Sequence, residues 1–215
     1  MSFQQISLQL LEGFGTTCLL FALTLVAAIP LGLVVAFGSM SKFKPLKYLT
    51  KGFVWVIRGT PLMLQIFVVF YIPSLVMDIP MRSRELAVLI AFIINYSCYF
   101  SEIYRGGIEG ISQGQYEAGD VLGLKKSQTF MVIVLPQVIK RIVPPMSNEI
   151  ITLVKDTSLA RVIGVIELIR AAEKILSGYG LIWPLFYSGA FYLIFVGILT
   201  ILFNYIEKKL SYYKV

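Results

Sequence analysis

Apolar residues run in long blocks along this chain, with short polar stretches between them. The first block extends from about Thr16 to Phe37, interrupted only by Pro30 and by small residues that membrane helices tolerate. "SMSKFKPLKYLTK" follows, carrying Lys42, Lys44, Lys47 and Lys51 and no acid. A second block, Phe53 to Met77, leads to the short link "DIPMRSRE", and a third covers about Leu86 to Tyr104. A fourth rises through "VPPMSNEIITLVKDTSLARVIGVIELI", and a fifth, Leu181 to Ile206, ends at "EKKLSYYKV". Blocks near the roughly 20 residues that cross a hydrocarbon core predict about five membrane-spanning helices. The fold class expected is an all-α integral membrane protein, with residues 1–215 forming one transmembrane domain.

Composition agrees with that pattern. Mean hydropathy is +0.80, with 57% apolar and 14% charged residues, whereas soluble domains carry about a quarter charged. The net charge of +7 does not point to nucleic acid, because the basic residues lie between apolar blocks, as positive-inside sorting places them. That sorting predicts the N-terminus outside and the C-terminus in the cytoplasm. Arg82, Arg84, Arg161, Arg170 and Lys174 fall on the opposite side, offset in part by Asp78, Glu85, Glu167 and Glu173. Cys18 and Cys98 lie inside apolar blocks and read as packed free thiols. "MSFQQISLQLLEGFGTT" has no basic n-region, so the first span is expected to be retained.

The polar interruption "YEAGDVLGLKKSQTFMVIVLPQ", Tyr116 to Gln137, is the most distinctive stretch. Glu117, Ala118 and Gly119, then Gly123, then Lys125 and Lys126 predict a short helix, a glycine break and a new helix start on the cytoplasmic side. Small residues let a second backbone approach, and Glu117 supplies a charged contact, which suits docking of a soluble partner. An ordinary interfacial loop, whose glycines only permit a turn, is the plainer alternative. The spacing from Glu117-Ala118-Gly119 through Gly123 to Ile133 and Leu135-Pro136 resembles the EAA loop of ABC-importer permease subunits. Only Gly119 departs, where alanine is commonest. "IRGTPLMLQ", "SEIYRGGIEGISQGQYEA" and "LVKDTSLARVIGV" resemble the polar amino-acid branch of the same family. The likeness covers about residues 10 to 210.

That resemblance implies a type I importer permease fold in the plasma (inner) membrane, with a cytoplasmic coupling loop at about residues 106–136. It also implies a second permease subunit, identical or similar, a cytoplasmic ABC ATPase dimer docked on the EAA loops, and an extracytoplasmic binding protein delivering an amino acid. Bilayer lipid would be the surrounding partner. No G-x-x-x-x-G-K-[ST] occurs, so ATP and Mg are expected on the partner ATPases and no cofactor in this chain. Without histidine there is no Ser-His-Asp triad, HExxH zinc site or histidine proton relay. The chain is therefore not expected to be an enzyme or to bind a metal.

Substrate recognition is sought at intramembrane ionisable residues, which cost about 2.5 to 3.5 kcal/mol each at the bilayer centre on insertion scales. Asn95, Cys98 and Glu102 follow i, i+3, i+7 spacing and share a helix face, flanked by Ser101 and Arg105. Glu102 would pair with a cationic group of the solute, or with Arg105 at i, i+3, neutralising both. Asp156 is the second candidate. Pro144-Pro145 is expected to restart the fourth span, which would bring Asp156 roughly 16 Å up, near the midplane. "DTSL" then reads as a cap, with Asp156 or Thr157 accepting from the N–H groups of a new half-helix beginning at Ser158. Such a broken helix would hold a substrate α-carboxylate, with carboxylates holding the cations. Asp156 as a simple cap, or paired with Lys155, is the structural alternative. A straight third span starting near Glu85 would leave Glu102 below the midplane, so a shared site requires tilt.

Two carboxylates at one pocket favour a basic amino acid: arginine, lysine or histidine. Glu149 and Thr152 could line the route or serve only packing. Trp55, Tyr71, Tyr179 and Trp183 read as interfacial anchors. "VIELIRAAEKIL" reads as an extracellular interfacial helix, with contact to the binding protein as the alternative, and the small residues and Gln65 of "RGTPLMLQ" as a surface for subunit packing. The mechanism implied is alternating access driven by partner ATPases. The competing class is a self-contained channel or proton-coupled carrier titrating Glu102, for which an EAA loop has no use.

Overall fold

A computed structural model of the chain describes residues 2–211. Among these, four helices are long and apolar enough to cross a membrane, and a bent pair brings the number to five when it is counted as one span. The first, α1 (Phe3–Ser39), starts well before the apolar block because Ser2 caps it and Gln5 closes a capping box. It runs on through Pro30. The third apolar block is α4 (Arg84–Glu109), capped by Ser83, and the last is α9 (Trp183–Leu210), with Pro184 in its first turn.

The second apolar block is not one straight helix. Chain that the sequence suggested as a basic loop winds into α2 (Lys44–Arg58), and α3 (Leu62–Met77) leaves it at an angle of 106°. Gly59, Thr60 and Pro61 make the break. Proline disfavours helix in the residue before it, and the carbonyls at the end of α2 then need partners. Gln65 supplies them. Its Nε2 donates to Ile57 O at 2.7 Å, Thr60 O at 3.2 Å and Thr60 Oγ1 at 3.0 Å. Gln65 thus braces the bend from within the chain rather than standing free for subunit packing. α2 is amphipathic: Lys44, Lys47, Lys51 and Arg58 share one side, and Leu46, Leu49 and Phe53 the other.

The fourth block also differs from expectation. After α5 (Gln113–Val121), the chain forms α6 (Lys126–Gln128), a π-helical turn at Thr129–Val134, α7 (Leu135–Asp156) and a 3-10 turn at Thr157–Ile163. Pro144 and Pro145 lie inside α7 and do not restart it. Both are exposed, so the carbonyls that lose their donors are not sealed in the core. At the upper end, helical dihedrals pass straight through Asp156 and Thr157. There is no capped half-helix, and the left-handed Gly164 ends the 3-10 turn.

The core sits where α1, α3, α4, α7 and the 3-10 turn meet, around Phe92, Tyr96, Phe100, Ile150, Leu153 and Val154. α1 and α4 approach closely at Gly32, where a Cβ would lie 2.8 Å from Phe100 Cβ. A second cluster joins α1 to α8 (Leu168–Tyr179) through Ile6, Leu10, Leu168, Ala172 and Ile175. The apolar stripe of "VIELIRAAEKIL" is therefore buried against protein rather than laid on a lipid interface.

Candidate functional site

Three helices enclose a polar cavity of about 290 Å3 lined by Thr60, Pro61 and Leu62 from the bend, Asn95, Tyr96 and Tyr99 from α4, and Glu149, Thr152 and Asp156 from α7. The α7 contributors follow i, i+3, i+7 spacing, which places them on one face. Asp156 Oδ2 accepts a hydrogen bond from the Tyr96 hydroxyl at 2.8 Å. Asn95 Nδ2 donates to Gln65 Oε1 at 3.0 Å, so the residue that braces the bend also orients a wall of the cavity. Neither Glu149 nor Asp156 takes part in an ion pair among the described residues.

Glu102 and Asp156, which would share a site only with a tilted third span, do not line the same cavity. Glu102 accepts from Arg105 Nε at 3.0 Å and from Arg105 Nη2 at 2.6 Å, and Arg58 Nη1 lies 3.6 Å away. Arg105 also binds Glu109 at 2.6 Å. The Arg58 guanidinium sits 5.0 Å from the centre of the Tyr99 ring, between the cavity wall and Glu102. Cys98 and Ser101 are fully buried, and the Ser101 hydroxyl donates to Cys98 O at 2.7 Å. Thr157 is buried too, its hydroxyl donating to Val154 O at 2.6 Å rather than accepting from a new helix. Ser158 is half-buried in the 3-10 turn. Of the residues singled out in the sequence, Asn95 and Asp156 meet at the cavity with Glu149 and Thr152, for which lining the route and packing were the two readings. Thr60, Tyr96 and Tyr99 join them without a sequence signal of their own.

At the far end of α7 lies the loop element. Gly119 is buried against Thr129, and a Cβ there would overlap the threonine side chain. Gly123 has φ +71°, a left-handed conformation that turns the chain between α5 and α6. Gln137 Nε2 donates to Gln115 Oε1 at 3.1 Å, and Arg141 donates to Gly110 O. α5 is thus tied to the start of α7. Its outer surface presents Glu117 and Ala118, with Val121 88% and Leu122 71% exposed.

Membrane-crossing helices around a polar cavity, joined by one rigid helix to an exposed helix–glycine–helix loop, define a membrane permease of the type I ABC-importer fold. The chain belongs to the family of binding-protein-dependent transport system inner membrane components, whose shared pattern matches residues 28–212. It is 37% identical over 205 residues to the L-cystine transport system permease protein TcyB of Bacillus subtilis, covering 94% of this chain and 86% of that protein. It is 33% identical over 204 residues to the arginine transport system permease protein ArtQ of the same organism, covering 94% and 92%. Among solved structures, an amino acid ABC transporter crystallised with histidines superposes with a TM-score of 0.88 at 29% identity, covering 97% of this chain and 99% of that one. The inward-facing MetNI methionine transporter, at 15% identity and TM-score 0.69 over 98% and 99% of the two chains, shares the fold. The protein is thus a permease subunit of an amino-acid ABC importer, seated in the membrane.

Proposed function

We propose that this chain moves an amino acid bearing two separate cationic groups through the membrane by alternating access, powered by a cytoplasmic ATPase dimer. The observation that carries this reading is the pair of carboxylates, Glu149 and Asp156, lining one small cavity with no ion-pair partner among the described residues. Uncompensated carboxylates in a low-dielectric site are costly unless a ligand supplies the counter-charge. A zwitterion offers one ammonium. Arginine and lysine add a side-chain cation, and cystine carries a second α-ammonium, so the names of the two relatives fit the same chemistry. The cavity lies near the low end of the roughly 300 to 1,000 Å3 typical of small-molecule sites.

In this reading the N-terminus is outside and the C-terminus in the cytoplasm, and two permease subunits pair across the membrane. An extracytoplasmic binding protein delivers the substrate. The ATPase grips the exposed Glu117, Ala118, Val121 and Leu122, while Gly119 and Gly123 shape the loop. ATP binding draws the two loops together, and each α7 carries the motion to its cavity. Hydrolysis resets the cycle.

The test is ATP hydrolysis by the permease assembled with its ATPase and binding protein in liposomes, titrated with arginine, lysine, cystine and glutamine. Stimulation by the dicationic set, lost in Asp156→Asn, is expected. Equal stimulation by glutamine with Asp156→Asn active would defeat the substrate class, and failure of any ATPase to copurify would defeat the coupling.

A further inference from the structure

One carboxylate lies apart from the cavity and has no role in the reading above. Glu167 is 0% exposed. Its Oε2 accepts from Ile169 N at 2.8 Å and its Oε1 from Arg170 N at 2.8 Å, which caps α8. The Tyr192 hydroxyl of α9 donates to Oε2 at 3.2 Å, and the Tyr192 side chain packs against the core cluster that holds Ala160 and Ile163 of the 3-10 turn. Thr17 Oγ1 donates to Gly13 O at 3.2 Å and accepts from Leu168 N at 3.3 Å. Three elements, α1, α8 and α9, therefore meet at one polar hub inside an apolar bundle, and the 3-10 turn packs against α1 and α8 beside it.

Capping alone does not call for such a residue. Elsewhere in this chain, Ser2 and Ser83 cap α1 and α4 through single hydroxyls, and serine at a cap involves no buried charge. A buried carboxylate is retained where its several bonds fix one arrangement among competing ones. The element packed beside the hub is the 3-10 turn, whose first residue, Thr157, adjoins Asp156 in the chain and is itself fully buried. Asp156 is thereby held from two sides. Tyr96 grips its carboxylate at 2.8 Å, and the turn that packs on α1 and α8 begins one residue on.

We propose that Glu167, acting through Tyr192, is a positioning residue that sets where Asp156 stands in the cavity. The proposal rests on reading that cavity as the substrate site, but its decisive measurement does not use substrate. In a chain lacking Cys18 and Cys98, Thr152→Cys places a thiol on the cavity wall, and its labelling rate by a cationic methanethiosulfonate reagent reports the local geometry. Tyr192→Phe keeps the ring and removes the hydroxyl. It should change that rate several-fold with no amino acid present, and Glu167→Gln should do the same, while a thiol placed on exposed Val121 labels unchanged. In the assembled transporter, each variant should raise the half-maximal amino-acid concentration for ATPase stimulation about tenfold, the loss expected for one hydrogen bond, with basal hydrolysis unaltered. Added to Asp156→Asn, each should contribute little further, because coupled residues are not additive. Unchanged Thr152→Cys labelling in Tyr192→Phe overturns the proposal, whatever happens to thermal stability. Altered labelling with Asp156→Asn still fully stimulated upholds the hub and removes the cavity from substrate binding.

Discussion

Glu102 and Arg105 form a two-pronged ion pair one helical turn apart, with donor–acceptor distances of 3.0 and 2.6 Å. Arg58 approaches from α2 at 3.6 Å. Glu102 is thus already ion-paired, whereas Glu149 and Asp156 in the cavity form no ion pair among the described residues. Glu102→Gln should accordingly change the half-maximal substrate concentration of the assembled transporter less than Asp156→Asn does. A tenfold or greater effect is expected for Asp156→Asn, in line with about 1.5 to 3 kcal/mol for a hydrogen bond to a charged group. Titrating substrate-stimulated ATPase in the two variants decides it, and a larger effect at Glu102 would return that residue to the site.

At the loop, Gly119 fits against Thr129 with no room for a methyl. Gly119→Ala, although it restores the residue commonest in this motif, should weaken the α5 contact by about 1 to 3 kcal/mol of overpacking, offset by up to about 1 kcal/mol of helix propensity. The expected readout is reduced substrate-stimulated hydrolysis with substrate affinity intact. Thr129→Ala in the same chain should restore most of it, and a fully active single variant would show that the loop has slack the structure does not.

Gly32 is the contact on which the largest helix pair closes, with Phe100 Cβ and Ser97 O near the position of an added methyl. Backbone and Cβ atoms there cannot swing aside. Gly32→Ala is therefore expected to lower the melting temperature of the purified subunit in detergent, by an overpacking cost of about 1 to 3 kcal/mol, whereas Gly15→Ala, which meets nothing within 4 Å, should not.

Cys98 is fully buried and Cys18 only partly. Maleimide should modify Cys18 in detergent-solubilised protein and leave Cys98 untouched until denaturant is added. Cys98→Ala should retain transport, since the thiol lies off the cavity wall. Rapid labelling of Cys98, blocked by substrate, would place it back on the pathway.

Several of these outcomes trace to what the sequence did and did not reveal. Long apolar blocks are legible because burial in lipid demands them, so α1, α4 and α9 were found, and the Gly119 and Gly123 pattern foretold the α5–α6 turn. Gly59-Thr60-Pro61 marks the bend between α2 and α3, but the apolar block runs on across it, so block length alone suggests one span. Pro144-Pro145 was over-read: helix disruption by proline depends on whether the freed carbonyls are sealed in, which only tertiary placement reveals. Asn95 and Asp156 were reached as intramembrane polar residues. Glu149 and Thr152 shared a helical face with Asp156, but that face gained meaning only once Tyr96 and the bend closed around it. The π-helical turn at Thr129–Val134 has no residue signature at all.

The bend has one further consequence, for the bilayer itself. α3 has 16 residues, which at helical rise give about 24 Å, against a hydrocarbon core of about 30 Å. With α2 turned aside by 106°, the missing length is not made up along the same axis. Where α3 is the part of the bent pair that crosses, lipid beside it thins or the helix end draws polar groups inward, each at fractions of a kcal/mol per Å. Transport should therefore peak in shorter-chain phospholipids and decline as acyl chains lengthen, making membrane thickness a control on this permease that acts through neither substrate nor ATP.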